Sequence, residues 1–170
     1  MNVSLIAAFA EDRLLGSEKG HLPWDLPRDK MHFRRYTAGK WLLLGRKTYE
    51  EMEGWFTDQR PLILTRSADF RPSAAHHAVV SSVPQAIDLA SGNGAGELVV
   101  CGGAGTFAAA LPYADTLVLT RVKTRIEVEK PVFFPEFESS HRWRCEFAQD
   151  WSADAENHFS MRFEKWHRRN

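Results

Sequence analysis

The chain has 170 residues, of which 44% are hydrophobic and 26% are charged, a composition typical of globular domains rather than disordered chains. Lys plus Arg and Asp plus Glu both number 22, so the formal net charge is zero and a basic surface for nucleic acid is not expected. No apolar run approaches the ~18 residues that span a membrane. We expect one domain over residues 1–170, without nucleic-acid or membrane partners.

The cysteine and histidine patterns argue against a metal centre. Cys101 and Cys145 lie in unrelated contexts, without a C-x-x-C motif, and the seven histidines include no H-E-x-x-H. A disulfide framework and a zinc site therefore both lack support. We expect no bound metal and a reducing, cytoplasmic location.

The first apolar run, residues 3–10, could be a signal peptide or a buried strand. A signal peptide needs a basic leading region, and Met1-Asn2 supplies none. The run also stops at three charged residues, 11–13. We therefore predict a buried first strand.

Eight short apolar runs predict the strands of one sheet, because each is about four to eight residues long. Two of them, 41–44 and 98–101, are continuously apolar, which indicates burial on both faces of a parallel sheet. In chain order the runs are 3–10, 41–44, 62–65, 78–81, 98–101, 116–122, 144–151 and 159–166.

Four helices are predicted between the strands. They cover residues 27–38, 48–53, 83–90 and 106–111, and the first opens with Pro27, which favours a first helical turn. Surface loops are predicted at 53–60, 67–75 and 91–96. We predict an α/β fold with a mostly parallel eight-stranded sheet and about four flanking helices. The last two strands have no helix between them and should form an antiparallel edge pair.

Asp29 is a candidate proton-handling group. It lies early in the first predicted helix, and Phe33 and Tyr36, four and seven residues on, share its face. Trp24 and two prolines make the approach apolar, which would desolvate the carboxylate and raise its pKa. Alternatively, Asp29 only favours the helix dipole and Phe33 belongs to the core.

Two predicted strands run into glycine-containing turns and then into helices. The first turn reads G-R-K-T from Gly45, and the second reads G-G-A-G-T from Gly102. Turns of this kind bind phosphate groups through backbone N–H. Neither fits the Walker A or the G-x-G-x-x-G pattern, and ordinary capped or tight turns remain the alternative.

Taken together, these motifs resemble the bacterial dihydrofolate reductases. The resemblance runs nearly end to end, through V-S-L-I-A-A, D-R-L-L-G, P-W-D-L-P-R-D, L-L-L-G-R-K-T-Y-E, V-C-G-G-A-G-T-F, L-V-L-T-R, F-F-P and A-E-N-H-F-S-M-R-F-E. It implies an oxidoreductase that transfers hydride from NADPH to 7,8-dihydrofolate. Such an enzyme supplies tetrahydrofolate to one-carbon metabolism and is an antifolate target. We also expect a monomer.

The resemblance implies roles for individual residues. Asp29 would bind the pterin and favour protonation at N5, with Thr120 supporting its carboxylate. Leu22 and Trp24 match the mobile lid of the family. The remaining residues implied in substrate binding are Ile6, Ala8, Phe33, Met52 and Cys101. Those implied in cofactor binding are Ala8, Gly16, Gly45, Arg46, Lys47, Thr48, Leu64, Thr65, Arg66, Gly102, Gly103, Ala104, Gly105, Thr106 and Phe107. Arg46, Thr65 and Arg66 match the surroundings of the 2′-phosphate, and Gly102-Gly103 match a pair usually joined by a cis peptide.

The chain departs from the family where the glutamate tail of folate binds. The family usually has an Arg at the position of Gln59, and Arg60 comes one residue late. We predict that Arg34 substitutes for it, because the side chain of Arg60 should point to the opposite face. Two alternatives remain, a reductase of a pterin or pyrimidine without the tail and a non-catalytic pteridine-binding module. Asp29, Thr120 and both glycine turns speak against the module.

Overall fold

The computed structural model describes residues 1–20 and 24–169 of the chain. Its strands, in chain order, are β1 (Asn2–Ala10), β2 (Leu14–Ser17), β3 (Trp41–Gly45), β4 (Arg60–Leu64), β5 (Ala78–Val80), β6 (Glu97–Gly102), β7 (Thr116–Val122), β8 (Pro131–Phe133), β9 (Trp143–Trp151) and β10 (Met161–Arg168). Eight of them form one sheet in the order β5-β4-β3-β6-β1-β7-β10-β9. The strands from β5 to β7 run parallel, and β10 pairs antiparallel with β7 and β9. The predicted sheet and its antiparallel edge pair are confirmed.

Four helices flank this sheet, as predicted: α1 (Pro27–Thr37), α2 (Arg46–Glu51), α3 (Val83–Gly92) and α4 (Ala104–Ala110). Helices α2 and α4 both begin earlier than predicted, because their glycine turns lead directly into the helix. Two short 3-10 turns, Leu111–Tyr113 and Glu138–Ser140, complete the helical segments that the structure describes. None of its described helices is long and apolar enough to cross a bilayer.

Two details of the structure differ from the predicted organisation. Strands β2 and β8 pair antiparallel with each other in a separate two-stranded sheet, which the sequence did not indicate. The predicted surface loop 53–60 is not wholly a surface loop, because Gln59 is only 3% exposed and Arg60 begins β4.

Apolar layers cover both faces of the sheet, as the continuous runs in β3 and β6 predicted. Leu5 and Phe9 of β1 pack in the larger layer, whereas Ile6 faces the other one with Leu42 and Val118. Each fully buried side chain of this size contributes about 1.5–3 kcal/mol. With both faces covered, the carboxyl ends of the parallel strands are the natural place for a binding crevice.

Candidate active site

A cleft of about 1610 Å³ opens at the carboxyl ends of β1, β3, β4 and β6. Pockets for a single small ligand are usually ~300–1,000 Å³, so this cleft can hold two ligands side by side. The resemblance-implied residues that line it are Ile6, Ala8, Gly16, Trp24, Asp29, Phe33, Gly45, Arg46, Lys47, Thr48, Met52, Leu64, Thr65, Arg66, Cys101, Gly102, Gly103, Ala104, Gly105, Thr106 and Phe107. Leu22, assigned to the lid, lies outside the described residues.

Asp29 is placed in the cleft by the first turn of α1, which opens with Pro27. Burial raises the pKa of its carboxyl to about 6, and a hydrogen bond from Thr120 partly opposes that rise. Thr120 belongs to β7 and is 2% exposed, so it lies behind the carboxylate. At neutral pH Asp29 therefore still holds a proton in part of the molecules.

The start of α1 is fixed by a residue that sequence reasoning did not identify. The backbone N–H of Arg28 donates to Oδ1 of Asn157 at 3.0 Å, and Asn157 Nδ2 donates to Asp154 Oδ1 at 2.9 Å. This bond caps a free N–H of the first helical turn. It ties the turn that carries Asp29 to the loop between β9 and β10. Asn157 stands within the quoted motif A-E-N-H-F, which was a possible signal for it.

Trp24, which lines the same cleft as Asp29, has a donor without a partner among the described residues. Its Nε1 is buried, and no residue of the described chain accepts a hydrogen bond from it. Buried indole N–H groups nearly always have a partner. Trp24 also lines the cleft, so its N–H is a candidate donor to a bound ligand or water.

Aromatic and apolar side chains form the wall beside Asp29. Phe33 lies one helical turn after Asp29, and its ring centroid is 5.2 Å from that of Trp55, a further lining residue that the sequence did not reveal. Met52 and Cys101 extend this wall. Burial raises the pKa of the Cys101 thiol far above its ordinary value, so the thiol stays neutral and acts as a small apolar group.

The two glycine turns lie against each other in the cleft, because Gly45 packs close to the backbone of Gly102 and Gly103. A Cβ on Gly45 would lie 2.7 Å from Thr106 Oγ1, so only glycine fits without movement. Gly102 has φ +113° and is joined to Gly103 by a cis peptide bond, as the resemblance implied. This close, side-chain-free approach fits the phosphate groups of a dinucleotide.

The cleft is also lined by Leu64, the last residue of β4, and by Thr65 and Arg66, which follow it. Arg46 lies nearby, but its Nε is paired with Glu50 Oε1 at 2.8 Å. The sequence did not indicate four further lining residues, 81–84, which connect β5 to α3 and form the start of that helix. Their only sequence signal is the Ser82 cap, whose Oγ accepts from Gln85 N at 3.2 Å.

The residues discussed for the glutamate tail occupy three different places. Gln59 Oε1 accepts from the backbone N–H of Thr57 at 2.9 Å, so this amide serves the chain itself. The guanidinium of Arg60 lies 5.5 Å from the ring centre of Trp41. Both residues line a smaller pocket at the amino ends of the parallel strands, opposite to the cleft. That the side chain of Arg60 points to the opposite face of the sheet stays a prediction. Arg34 is exposed and lies 4.5 Å over the ring of Trp55.

A family model described as dihydrofolate reductase matches residues 2–168. A dihydrofolate reductase of Bacillus subtilis is 30% identical over 168 residues, which cover 99% of this chain and 95% of the relative. That of Neisseria gonorrhoeae is 36% identical over 145 residues, or 85% of each chain. A solved structure, dihydrofolate reductase from Enterococcus faecalis complexed with NADP(H) and RAB-propyl, matches with a TM-score of 0.86 and 30% identity, covering 99% of this chain and 97% of that one. The full-length match and the matching fold show that this chain belongs to the dihydrofolate reductase family.

Proposed function

We propose that this chain catalyses the NADPH-dependent reduction of 7,8-dihydrofolate to tetrahydrofolate in this cleft, with Asp29 assisting protonation at N5. The observation that carries the assignment of Asp29 is its place in the cleft with a pKa raised to about 6. A carboxyl group that holds a proton near neutral pH can bind the pterin and supply a proton. The family assignment supports the substrate and the cofactor.

The reaction adds a hydride to C6 and a proton to N5 of the substrate. NADPH, when bound, supplies the hydride. The ionised form of Asp29 accepts hydrogen bonds from N3–H and the amino group of the pterin and so orients the ring, whereas its protonated form supplies the proton that N5 gains. Thr120 holds the carboxylate in place, and Trp24 offers its buried N–H to a ligand or water beside it. The wall formed by Phe33 and Met52 excludes water, which keeps the reacting atoms dry.

We assign NADPH to the part of the cleft that contains the two glycine turns, and we call this part the cofactor half. Gly45 packs against Thr106 and Gly102 against Phe107, at distances that leave no space for a Cβ, and side-chain-free turns that lead into helices bind phosphate oxygens through backbone N–H groups. We assign the 2′-phosphate to Arg66 and Arg46, which line that end of the cleft. Arginine forms strong charge-assisted bonds with phosphate, which favours NADPH over NADH.

We further propose that Arg34 binds the glutamate tail. Its guanidinium lies 4.5 Å from the ring centre of Trp55, which lines the cleft beside Phe33. Lys30 is another cation that lines the cleft, but its Nζ is paired with Asp25 Oδ1 at 2.8 Å. The buried, neutral Gln59 supports one alternative, a reductase of a substrate without the tail.

Initial rates at 340 nm with NADPH test this function. Wild-type chain should oxidise NADPH rapidly with dihydrofolate and more slowly, at the same concentration, with a dihydropterin that lacks the tail. Equal kcat/KM for both substrates would support the alternative reductase. Ligand binding without turnover would contradict the proposed reaction altogether.

The remaining proposals concern the state of the protein. We propose that residues 1–170 form one domain that acts as a cytoplasmic monomer. Support for the location comes from Cys101 and Cys145, which are both free thiols, as expected in a reducing compartment.

A further inference from the structure

Helix α2 points functional side chains in two directions. Lys47 and Thr48 line the cofactor half of the cleft, whereas the next residue, Tyr49, is 0% exposed. The Tyr49 hydroxyl lies 2.8 Å from His77 Nδ1 and 2.9 Å from Ser73 Oγ, and it accepts from Ser73 N at 3.2 Å. Tyr49, Ser73 and His77, which we call the Tyr49 cluster, join α2 to the segment 65–77 between β4 and β5.

The hydrogen bonds of the Tyr49 cluster form one consistent set. Burial, reinforced by the neighbouring His76, lowers the pKa of His77, so its ring is neutral at pH 7. With the proton of the neutral ring on Nε2, Tyr49 donates to His77 Nδ1 and accepts from both the N–H and the hydroxyl of Ser73. One hydroxyl thus makes three bonds, which fixes the segment against α2 at a single point.

Aromatic packing extends this junction towards the cofactor half of the cleft. The Tyr49 ring stacks on Phe56 at 5.7 Å and meets the edge of Phe70 at 6.1 Å. The guanidinium of Arg46 in turn lies 5.1 Å from the centre of the Phe70 ring. Arg66 is the second residue of the segment 65–77. The two arginines assigned to the 2′-phosphate therefore stand on the two pieces of chain that the Tyr49 cluster joins.

We propose that Tyr49 is a positioning residue for cofactor choice: through Ser73 and His77 it holds Arg46 and Arg66 at the spacing that binds the 2′-phosphate. This inference rests on the proposed function, in which those arginines select NADPH. NADH has no phosphate at that position, so its binding does not depend on the spacing. A residue that only stabilised the fold would affect both cofactors alike.

The test is Tyr49→Phe, which keeps the ring and removes the hydroxyl. We expect the KM for NADPH to rise roughly five- to tenfold, because the variant loses the hydrogen bonds of one hydroxyl group that position the two arginines. The KM for NADH should change less than twofold, so the preference for NADPH falls. Tyr36→Phe is the matched control. Tyr36 lies on α1, and its hydroxyl donates to Oε1 of Glu97 on β6 at 2.7 Å, a bond that involves neither α2 nor the segment 65–77. This control should leave the ratio of the two KM values unchanged.

A second pair of variants checks the same bond from the other side. In His77→Asn the amide can replace Nδ1, and the NADPH preference should persist, whereas His77→Leu should lose it as Tyr49→Phe does. If Tyr49→Phe fails to fold, Ser73→Ala and the His77 pair carry the comparison. The proposal is overturned if both KM values rise equally, or if neither changes.

Failure of the proposed function would look different. In that case the wild-type chain itself would not oxidise NADPH with dihydrofolate. The inference could then still be tested by calorimetric binding of NADP⁺ and NAD⁺ to the wild-type chain and to Tyr49→Phe. Loss of the difference between these two ligands in the variant would support it, and an unchanged difference would refute it.

Discussion

Replacing Asp29 with Asn should make the protein less active and more stable. Burial raises the pKa of Asp29 from 3.8 to about 6, so the folded state binds this proton more tightly than the unfolded state does. Its contribution to the free energy of unfolding therefore falls as the pH rises from about 4 to about 6. Two pKa units correspond to about 3 kcal/mol. Asn has the same shape and no charge, so the variant should gain up to that amount at pH 8 and almost nothing at pH 3.5.

The activity of Asp29→Asn should change in the opposite direction. General acid–base assistance contributes roughly 10²–10⁴-fold, and we expect kcat/KM at pH 7 to fall by that factor. In the wild-type chain the protonated fraction of Asp29 declines above pH 6, so kcat/KM should decline there too. The variant should lack this inflection.

Two assays on the same preparations decide the matter, NADPH oxidation at 340 nm and urea unfolding at pH 3.5 and 8. Asp25→Asn is the control, since Asp25 is an exposed carboxylate paired with Lys30 just before α1. It should change neither activity nor stability appreciably. If Asp29→Asn keeps near-full activity at pH 7, the proposed role is wrong. If it gains no stability at pH 8, burial is not what raises the pKa.

Three further predictions concern the surroundings of the two ligands. Arg66→Ala should lower the preference for NADPH over NADH about tenfold, because a charge-assisted bond of ~1.5–3 kcal/mol is lost; equal preference before and after would contradict its assignment. Thr120→Val removes a bond that lowers the pKa of Asp29, so the inflection in a plot of kcat/KM against pH should move to higher pH. Arg34→Ala should raise the KM for dihydrofolate but not for a tail-less dihydropterin. A rise in Arg60→Ala alone would show that the wrong arginine was chosen.

The fold could be predicted well where burial dominates the sequence pattern. The runs in β3 and β6 are continuously apolar and only four residues long, which is typical of a parallel strand covered on both faces. Strands β2 and β8 escaped prediction because four and three residues are too few for a periodicity to show. Gln59 was assigned to a loop because polar residues surround it, yet its amide caps the N–H of Thr57 inside the protein.

The site was predicted only in part, because its walls come together through the sheet order. The quoted motifs carry Asp29 and the glycine turns with them, and these residues meet as expected. Trp55 escaped notice because its contacts with Phe33 and Arg34 join α1 to the chain after α2. Asn157 lies 129 positions from the N–H that it caps. A local pattern can mark such a residue, as the motif A-E-N-H-F does for Asn157, but it does not show which distant group the residue pairs with.

The central place of β1 has a consequence for synthesis of the chain on the ribosome. β1 lies between β6 and β7, and its registered partners begin only at Glu97 and Thr116. At ~5–20 residues per second, the first strand emerges roughly 5–20 s before either neighbour. During that interval Leu5, Ile6 and Phe9 have no sheet to enter, and an unpaired apolar strand is prone to self-association. The sheet can therefore close around β1 only after β6 and β7 have left the ribosome. Until then we expect the nascent chain to remain uncollapsed or to be protected by a chaperone.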